Sequence, residues 1–260
     1  MARHAVLTLV PIRFPMVQPG NKLADLVASG LRKGKLRLVR GDIVAVASKV
    51  VSTCEKRLVR LGDVSITPLG RRLAAKWGLD EKLASLVASQ ADQVLGGVKG
   101  FLLTEKNGYL VPNAGVDLKN SPPGTAMLWP INPDRSAREL RADLERRYRT
   151  KVGVEIVDSQ VTPLRLGTVG LAIGVSGFVP VVDRRGTRDL YGRRIRVTQA
   201  NLGDDIASAC HLLMGESSEQ IGAVLIRGVS VALSVTANGK CARLSLRKCL
   251  IGNNLADTLR

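Results

Sequence analysis

The alternation of apolar and polar positions divides this chain into short strands and amphipathic helices. Apolar runs over Val6 to Ile12 and over Asp42 to Ser52, the second rich in Val and preceded by Gly41, predict two strands. Between them Leu23, Leu26, Val27 and Leu31 recur at helical spacing and stop at Lys33-Gly34, which predicts a helix. Two more helices are expected over Gly70 to Trp77 and Glu81 to Leu95, joined at Gly78. Asn107-Gly108 lies between Phe101-Leu102-Leu103 and Tyr109-Leu110-Val111. A two-residue turn of that composition supplies the positive φ angles that match strand twist, so a β-hairpin is expected there.

Further on, Ser121-Pro122-Pro123-Gly124 and Trp129 to Pro133 mark a loop, and Ser136 with Glu139 forms a capping box for a helix reaching Tyr148. A strand over Val152 to Val157 follows. The uncharged run Leu166 to Val182 is broken by Gly167, Gly170, Gly174, Gly177 and Pro180, which argues against a membrane span and for two buried strands and a turn. A helix over Asp204 to Met214, a core strand over Ala223 to Arg227, and an alternating stretch from Val229 to Ser245 with a hairpin signal at Asn238-Gly239 complete the chain. The sum is an α/β fold, in the sense of helices with a mixed sheet. No linker is visible, so the 260 residues read as one domain over 1–260, with two lobes as the alternative.

Composition narrows the chemistry. The run Ala5 to Ile12 contains Thr8 and precedes no small-residue cleavage pattern, so no targeting segment is expected and a cytoplasmic location is. Cys54, Cys210, Cys241 and Cys249 form no CxxC pair, and only His4 and His211 are available, which argues against a zinc site and against Cys-His or Ser-His nucleophilic catalysis. Four free thiols suit a reducing compartment. The formal charge of +17 implies anionic company. Six arginines crowd Arg184 to Arg196 in a plausible clamp for phosphate or carboxylate groups. Arg138 to Lys151, interspersed with Glu139, Asp143 and Glu145, reads as an exposed helix face. Aromatic residues make up only 3%, a poor supply of stacking platforms, which argues against nucleic acid as the partner. No Walker sequence or dinucleotide fingerprint occurs.

Three apolar stretches each run into an acid at a turn: Val111 to Asp117, Val154 to Asp158 with Ser159, and His211 to Glu216. Carboxylates brought close repel unless a cation neutralises them, so convergence of the three would make a site for an oxygen-bound divalent metal. Each acid alone fits a strand end or a helix cap equally well.

The same residues carry a family resemblance. Phe14-Pro15-Met16-Val17 with Gly20, Ala47 to Ser52, Asn113-Ala114-Gly115-Val116-Asp117 with Asn120, Asp158-Ser159, Ala172 to Val175, Asp183 to Gly186 through Tyr191 to Arg193, and Met214-Gly215-Glu216 occur in the order seen in the coenzyme F420-0:L-glutamate ligases. The chain resembles that family over roughly residues 6 to 228. The resemblance implies a fold peculiar to these ligases, an intertwined homodimer, and GTP-dependent joining of L-glutamate to coenzyme F420-0 with further γ-linked extension. It implies metal ligands at Asp117, Asp158, Ser159 and Glu216, for two Mg2+ or Mn2+ ions and a K+ ion, with Asp117 and Asp158 catalytic. It also implies GTP contacts at Phe14, Pro15, Met16, Val17, Ser48, Lys49, Thr53, Asn120, Met214, Gly215, Ser217, Ser218, Glu219, Gln220 and Ile221. The arginine turn and Arg165 are candidates for the acidic groups of the acceptor on charge and position alone.

This chain departs from the family pattern after Asp158, where Ser159-Gln160-Val161-Thr162-Pro163-Leu164-Arg165 stands in place of Thr-Phe-Gly-Arg-Pro-Trp-Arg. Thr53 stands where Lys is common and Glu216 where Gln is common. A related carboxylate-amine ligase with another acceptor, and a basic RNA-binding protein, are the alternatives.

Overall fold

The computed structural model describes residues 6–258. It divides into two compact units. The first runs up to Cys54 and resumes over Asn132–Ser159 and Thr168–Ala242; the second comprises Glu55–Ile131, Gln160–Gly167 and the chain from Arg243 on. No shift of composition marks these crossings because each is made within a short loop or at a strand end.

In chain order, β1 (Thr8–Arg13), α1 (Leu23–Lys33), β2 (Ile43–Ala47) and α2 (Ser48–Cys54) open the first unit. The second unit then takes β3 (Leu58–Arg60), α3 (Pro68–Trp77), α4 (Glu81–Gln90), β4 (Gln93–Val98), β5 (Phe101–Lys106), β6 (Tyr109–Pro112) and β7 (Thr125–Met127). The first unit is completed by α5 (Pro133–Tyr148), β8 (Gly153–Val161), β9 (Thr168–Phe178), β10 (Val181–Asp183), β11 (Gln199–Asn201), α6 (Leu202–Met214), β12 (Ile221–Arg227) and β13 (Leu233–Asn238). Helix α7 (Leu250–Thr258) closes the described chain.

The first unit is built on a six-stranded mixed sheet in the order β1-β12-β2-β8-β9-β13. β2 and β8 run parallel, with Ala45 opposite Glu155 and Ala47 opposite Val157. Their near-continuous apolar composition is that of strands covered on both faces. Ile12, Ala223, Val46 and Ile156 are register neighbours and share one face, which α1 covers: a Cβ at Gly30 of α1 would stand 2.3 Å from the Ile12 side chain. The next residues along the pleat, including Ala45 and Val224, face α6, whose Ile206, Ala207, Cys210 and Met214 complete that layer of core. Asp42, 1% exposed at the start of β2, accepts two hydrogen bonds from Arg227 at 2.8 and 2.7 Å and one from the Val39 N–H at 2.8 Å.

The second unit packs the α3–α4 helical hairpin, turned at left-handed Gly78, over the antiparallel β4-β5-β6 sheet, with β3 and β7 paired beside it. Its core gathers Leu86, Val87, Leu102, Ala114, Val116, Ala126 and Leu128. The Asn107-Gly108 hairpin forms as expected, with φ of 52° and 79° and Lys106 paired to Tyr109.

Several boundaries differ from the sequence reading. β1 begins at Thr8. The run Asp42 to Ser52 is not one strand, because the chain leaves the sheet at Ala47 and coils directly into α2. The helix expected to Leu95 stops at Gln90, and Gln93 onward is strand, with Gly96 at a register shift. Asn132, not Ser136, caps α5: its side chain accepts from the Arg135 N–H with Pro133 behind it, while Ser136 lies in the first turn and bonds the Asn132 carbonyl at 3.1 Å. Leu166 to Val182 does hold two strands joined by a turn, β9 and the start of β10, but β10 is short and only partly buried. Asn238-Gly239 makes no hairpin, since β13 pairs with β9 and a 3-10 turn follows it.

The Arg227 fork on Asp42 ties β12 to the start of β2, and removing one partner leaves the other buried or half-buried without its counter-charge. Asp42→Ala is expected to lower unfolding stability by about 2–4 kcal/mol, read as a shifted denaturant midpoint, whereas the exposed pair Arg135–Glu139 should tolerate Glu139→Ala with a change under about 0.5 kcal/mol.

Candidate functional site

Parallel strands deliver their carboxyl ends to the same edge of a sheet, and in open sheets that edge is where loops collect ligands. Here β2 ends at Ala47 and passes into α2 at Ser48, while β8 carries Asp158 just beyond Val157. Ser48 Oγ donates to Asp158 Oδ1 at 2.8 Å, and Ser48 is buried. The bond orients one carboxylate oxygen and joins two residues that the sequence singled out separately. Thr53 donates back to the Lys49 carbonyl at 2.7 Å within α2. Ser159, the next residue of β8, points to the opposite face of the strand by the pleat.

Glu216 follows the carboxyl end of α6. Its Oε1 accepts from Thr168 Oγ1 at 2.8 Å and meets His211 Nε2 at 2.9 Å. Thr168 opens β9, the neighbour of β8, and residues 162–167 joining them are too few for a parallel crossover, so β8 and β9 run antiparallel. Asp158 and Thr168 therefore lie toward the same edge of the sheet. The turn Met214 to Ile221 is held against the segment after β1: Arg13 donates to the Glu219 carbonyl at 2.7 Å and the Phe14 N–H to the Gln220 carbonyl at 3.4 Å. Gly215 and Gln220 take φ of 71° and 56°. Ser217 N–H donates to Glu219 Oε2 at 2.8 Å, and Ser218 is exposed. The Phe14 ring is buried and fills the space a Cβ at Gly222 would need, whereas Met16 is exposed. Of the residues expected to contact nucleotide, the structure thus brings Phe14 together with Gln220.

The strands that carry the arginine turn start elsewhere in this unit. Residues 184–196 form the outer part of a two-stranded arm that rises from β10 and β11, after the Phe178 end of β9. Thr168 stands at the other end of that strand, about 30 Å away for eleven residues of strand. The base of the arm is therefore not brought to Asp158 and Glu216. Arg185 pairs with Asp183, Arg193 with Asp189, and Arg188 donates to the Gly192 carbonyl.

Asp117 and Asn120 belong to the second unit. Asn113, Ala114 and Gly115 take three consecutive positive φ values of 49°, 52° and 72°. An alanine in that region is costly and persists only where its surroundings enforce it. They do so here: Asn113 Oδ1 accepts the Leu102 N–H at 2.8 Å, and Ala114 N–H donates to Thr104 Oγ1 at 2.8 Å. Gly115 lies against the Trp129 ring, where a Cβ would come within 2.4 Å. The turn hands the chain to Asp117, whose backbone bridges Met127 in both directions and whose Oδ1 accepts the Lys119 N–H at 2.7 Å. Asn120 is exposed with φ of 55°. Among the described residues no three His, Cys, Asp or Glu side chains are gathered as a ready ligand cluster. The candidate donors are oxygen throughout, which fits a hard divalent cation in kind.

From residue 11 to residue 228 the chain matches the family described as F420-0:Gamma-glutamyl ligase. The chain belongs to that family. It is 40% identical over 232 residues to the coenzyme F420:L-glutamate ligase of Methanopyrus kandleri, covering 89% of this chain and 90% of the relative. It is 34% identical to the protein of the same name from Methanothermobacter thermautotrophicus, over 82% of this chain and 85% of the relative. The like-named protein of Archaeoglobus fulgidus is 36% identical, over 84% and 86%.

One functional-looking group in this gamma-glutamyl ligase family member escapes the sequence reading. Glu155, in the middle of β8, is fully buried on the α6 face, and neither carboxylate oxygen has a hydrogen-bond partner. Burial, with the nearby Asp204 carboxylate, pushes its pKa well up, toward the protonated form. Burial likewise raises Asp204, and burial with Glu155 raises the Cys210 thiol. A lone Glu inside an apolar run gives no sequence signal of this.

Because the folded chain binds the Glu155 proton more tightly than the unfolded chain, stability is greatest below the ordinary carboxylate range and declines as pH rises from there toward the raised value. Glu155→Gln, which has no proton to take up on folding, is expected to flatten the fall of stability with rising pH, read from thermal unfolding at several pH values; an unchanged pH dependence would contradict this. Gly115→Ala, strained in φ and obstructed by Trp129, should cost about 2–4 kcal/mol, visible in tryptophan-detected unfolding.

Proposed function

We propose that this protein joins the amine of L-glutamate to the terminal carboxylate of coenzyme F420-0, using GTP, and extends the product through γ-linkages to F420-1 and F420-2. The observation that carries the reading is the family match from residue 11 to residue 228, within which Ser48 holds Asp158 at the carboxyl end of the parallel pair.

A carboxylate resists attack by an amine, so it must first be activated. The γ-phosphoryl group of GTP passes to a carboxylate oxygen of the acceptor, releasing GDP and forming an acyl phosphate. The glutamate amine, having lost its proton, attacks the acyl carbon, the amide forms, and phosphate leaves. Such a sequence depends on positioning and electrostatics more than on a protein nucleophile, in keeping with the scarcity of His and the burial of Cys210.

Asp117, Asp158 and Glu216 are the side-chain oxygen donors that would hold two Mg2+ or Mn2+ ions, with K+ as a further ion; Ser159, whose side chain turns to the other face of β8, would join them through its backbone oxygen. Bound there, such ions offset the charge of the transferring phosphoryl group. Ser48 fixes the rotamer of Asp158 through its hydrogen bond, and Thr168 and His211 fix that of Glu216. Phe14 to Val17, Lys49, Thr53, Asn120 and Met214 to Ile221 are assigned to GTP, with the backbone groups of the Gly215 to Gln220 turn as contacts. A homodimer in the cytoplasm is part of the same reading.

A different acceptor is favoured by one observation. The stretch after Asp158 lacks the aromatic residues common in the family, and Leu164 and Leu166 are fully exposed there.

Purified protein incubated with F420-0, GTP, L-glutamate and Mg2+ or Mn2+ should yield products heavier by one or two glutamyl residues in mass spectrometry, absent when GTP or metal is withheld. Asp117→Ala and Asp158→Ala should each lower kcat by about a hundredfold or more. Metal-dependent GTP binding without product would transfer the reading to another acceptor; absence of both would sink it.

A further inference from the structure

The second unit holds two cations on one neutral oxygen. Lys106 ends β5 on the same face as Leu102 and Thr104 and is only 7% exposed. Its Nζ lies 3.4 Å from Gln90 Oε1, and Arg57 Nη2 donates to that same oxygen at 3.1 Å. Arg57 Nε donates to the Trp129 carbonyl at 3.0 Å. Gln90 is uncharged. Among the described residues neither Lys106 nor Arg57 has a carboxylate within ion-pair distance. The charged groups facing Lys106 are Arg57, from the segment entering β3, and Asp92, from the turn between α4 and β4, whose carboxylate accepts the Asn107 N–H.

An ammonium carries three N–H groups and a guanidinium five, so this arrangement leaves donors of both directed at no protein acceptor. Taking two like charges partly out of water without a counter-charge is costly. The carbonyls ending α4 offer about half a negative charge, less than the two positive charges present. Solvent at the half-exposed Arg57, or an anion, must supply the missing acceptors, and only an anion also offsets the charge. Burial first, and Arg57 second, hold the Lys106 ammonium down at about 8, so at neutral pH the charged form still predominates.

We propose that the Lys106 ammonium and the Arg57 guanidinium form a binding site for a small oxyanion, a phosphate or carboxylate group, entering from the partly exposed side of Arg57 and Gln90. The guanidinium fork accommodates two oxygens in its plane and the ammonium takes a third or shares one. An anion in place keeps the lysine protonated. Affinity is therefore full below the Lys106 midpoint and falls as pH rises through it. The site uses no residue assigned to GTP, metal or acceptor, and it stands whether or not the ligase reading does.

The test is calorimetric titration of inorganic phosphate, and separately of acetate, into the full chain at fixed ionic strength in chloride, with Lys106→Met and Arg57→Gln beside it. One saturable site per chain is expected, weakened about tenfold or more in each variant. In the unaltered protein it should be weaker one pH unit above the Lys106 midpoint than one unit below, and the stronger arm shows whether phosphate or carboxylate is preferred. Should Lys106→Met fail to fold, Arg57→Gln at its half-buried position carries the comparison. The Lys106 side-chain resonances followed by NMR should titrate at higher pH with the anion than without it. Saturable binding undiminished in the variants, no saturable binding of either anion, or an unmoved Lys106 midpoint would each overturn the proposal.

Discussion

The parallel register of β2 and β8 is the constraint on which the first unit depends. Two parallel neighbours cannot be joined by a tight turn, so the chain between Ala47 and Gly153 must leave the sheet and come back. The same register brings Ser48 and Asp158, 110 positions apart, within a hydrogen bond. A slip of one residue would turn Asp158 to the other face and expose half the core to the wrong layer. The apolar pairs Val44–Val154 and Val46–Ile156 prevent that by filling the α1 side of the sheet, and the Asp42–Arg227 fork fixes where β2 begins.

What the sequence disclosed was what is decided locally. The helix from Leu23 to Lys33 shows its apolar stripe, and the Asn107-Gly108 turn requires its own left-handed geometry. Where two local signals competed, the wrong one could be chosen. Asn132 followed by Pro133 and Ser136 followed by Glu139 are both plausible helix starts, and only the proline geometry favours the first. Val50 and Val51 suit strand by composition, yet the parallel pair ends at Ala47 and leaves them no strand to pair with. Asn238-Gly239 has the residues for a hairpin, but its strand is taken by β9. The candidate site residues were singled out mainly through family resemblance, since nothing in spacing could say that Ser48 meets Asp158 or that the arginine arm issues from the far end of β9. The strained Asn113 to Gly115 turn was visible as a motif, though not as strain, because Ala114 carries no outward sign of a positive φ.

Glu155 and Lys106 make a contrast about buried charge. Each is a titratable group in a core, and each is displaced in pKa toward its neutral form. Glu155 is enclosed on every side, so the proton is its only available partner. Lys106 stands beside a second cation near a partly exposed edge, where a mobile ion can serve instead. The difference lies in access rather than in sign.

The strand order also sets a timetable for folding. β1 occupies the sheet edge and its one neighbour is β12, with Thr8 opposite Arg227, so the first strand made waits for nearly the last part of the fold. β12 is also the strand that enters between β1 and β2. Until it arrives, a growing chain carries two apolar strand edges with nothing to pair, and the five passages between the units mean that neither can be finished as a contiguous segment. Long-range pairing of this kind slows assembly and exposes the intermediates to misassociation. A chain that has not yet emerged beyond Arg227 is, in sheet terms, two fragments.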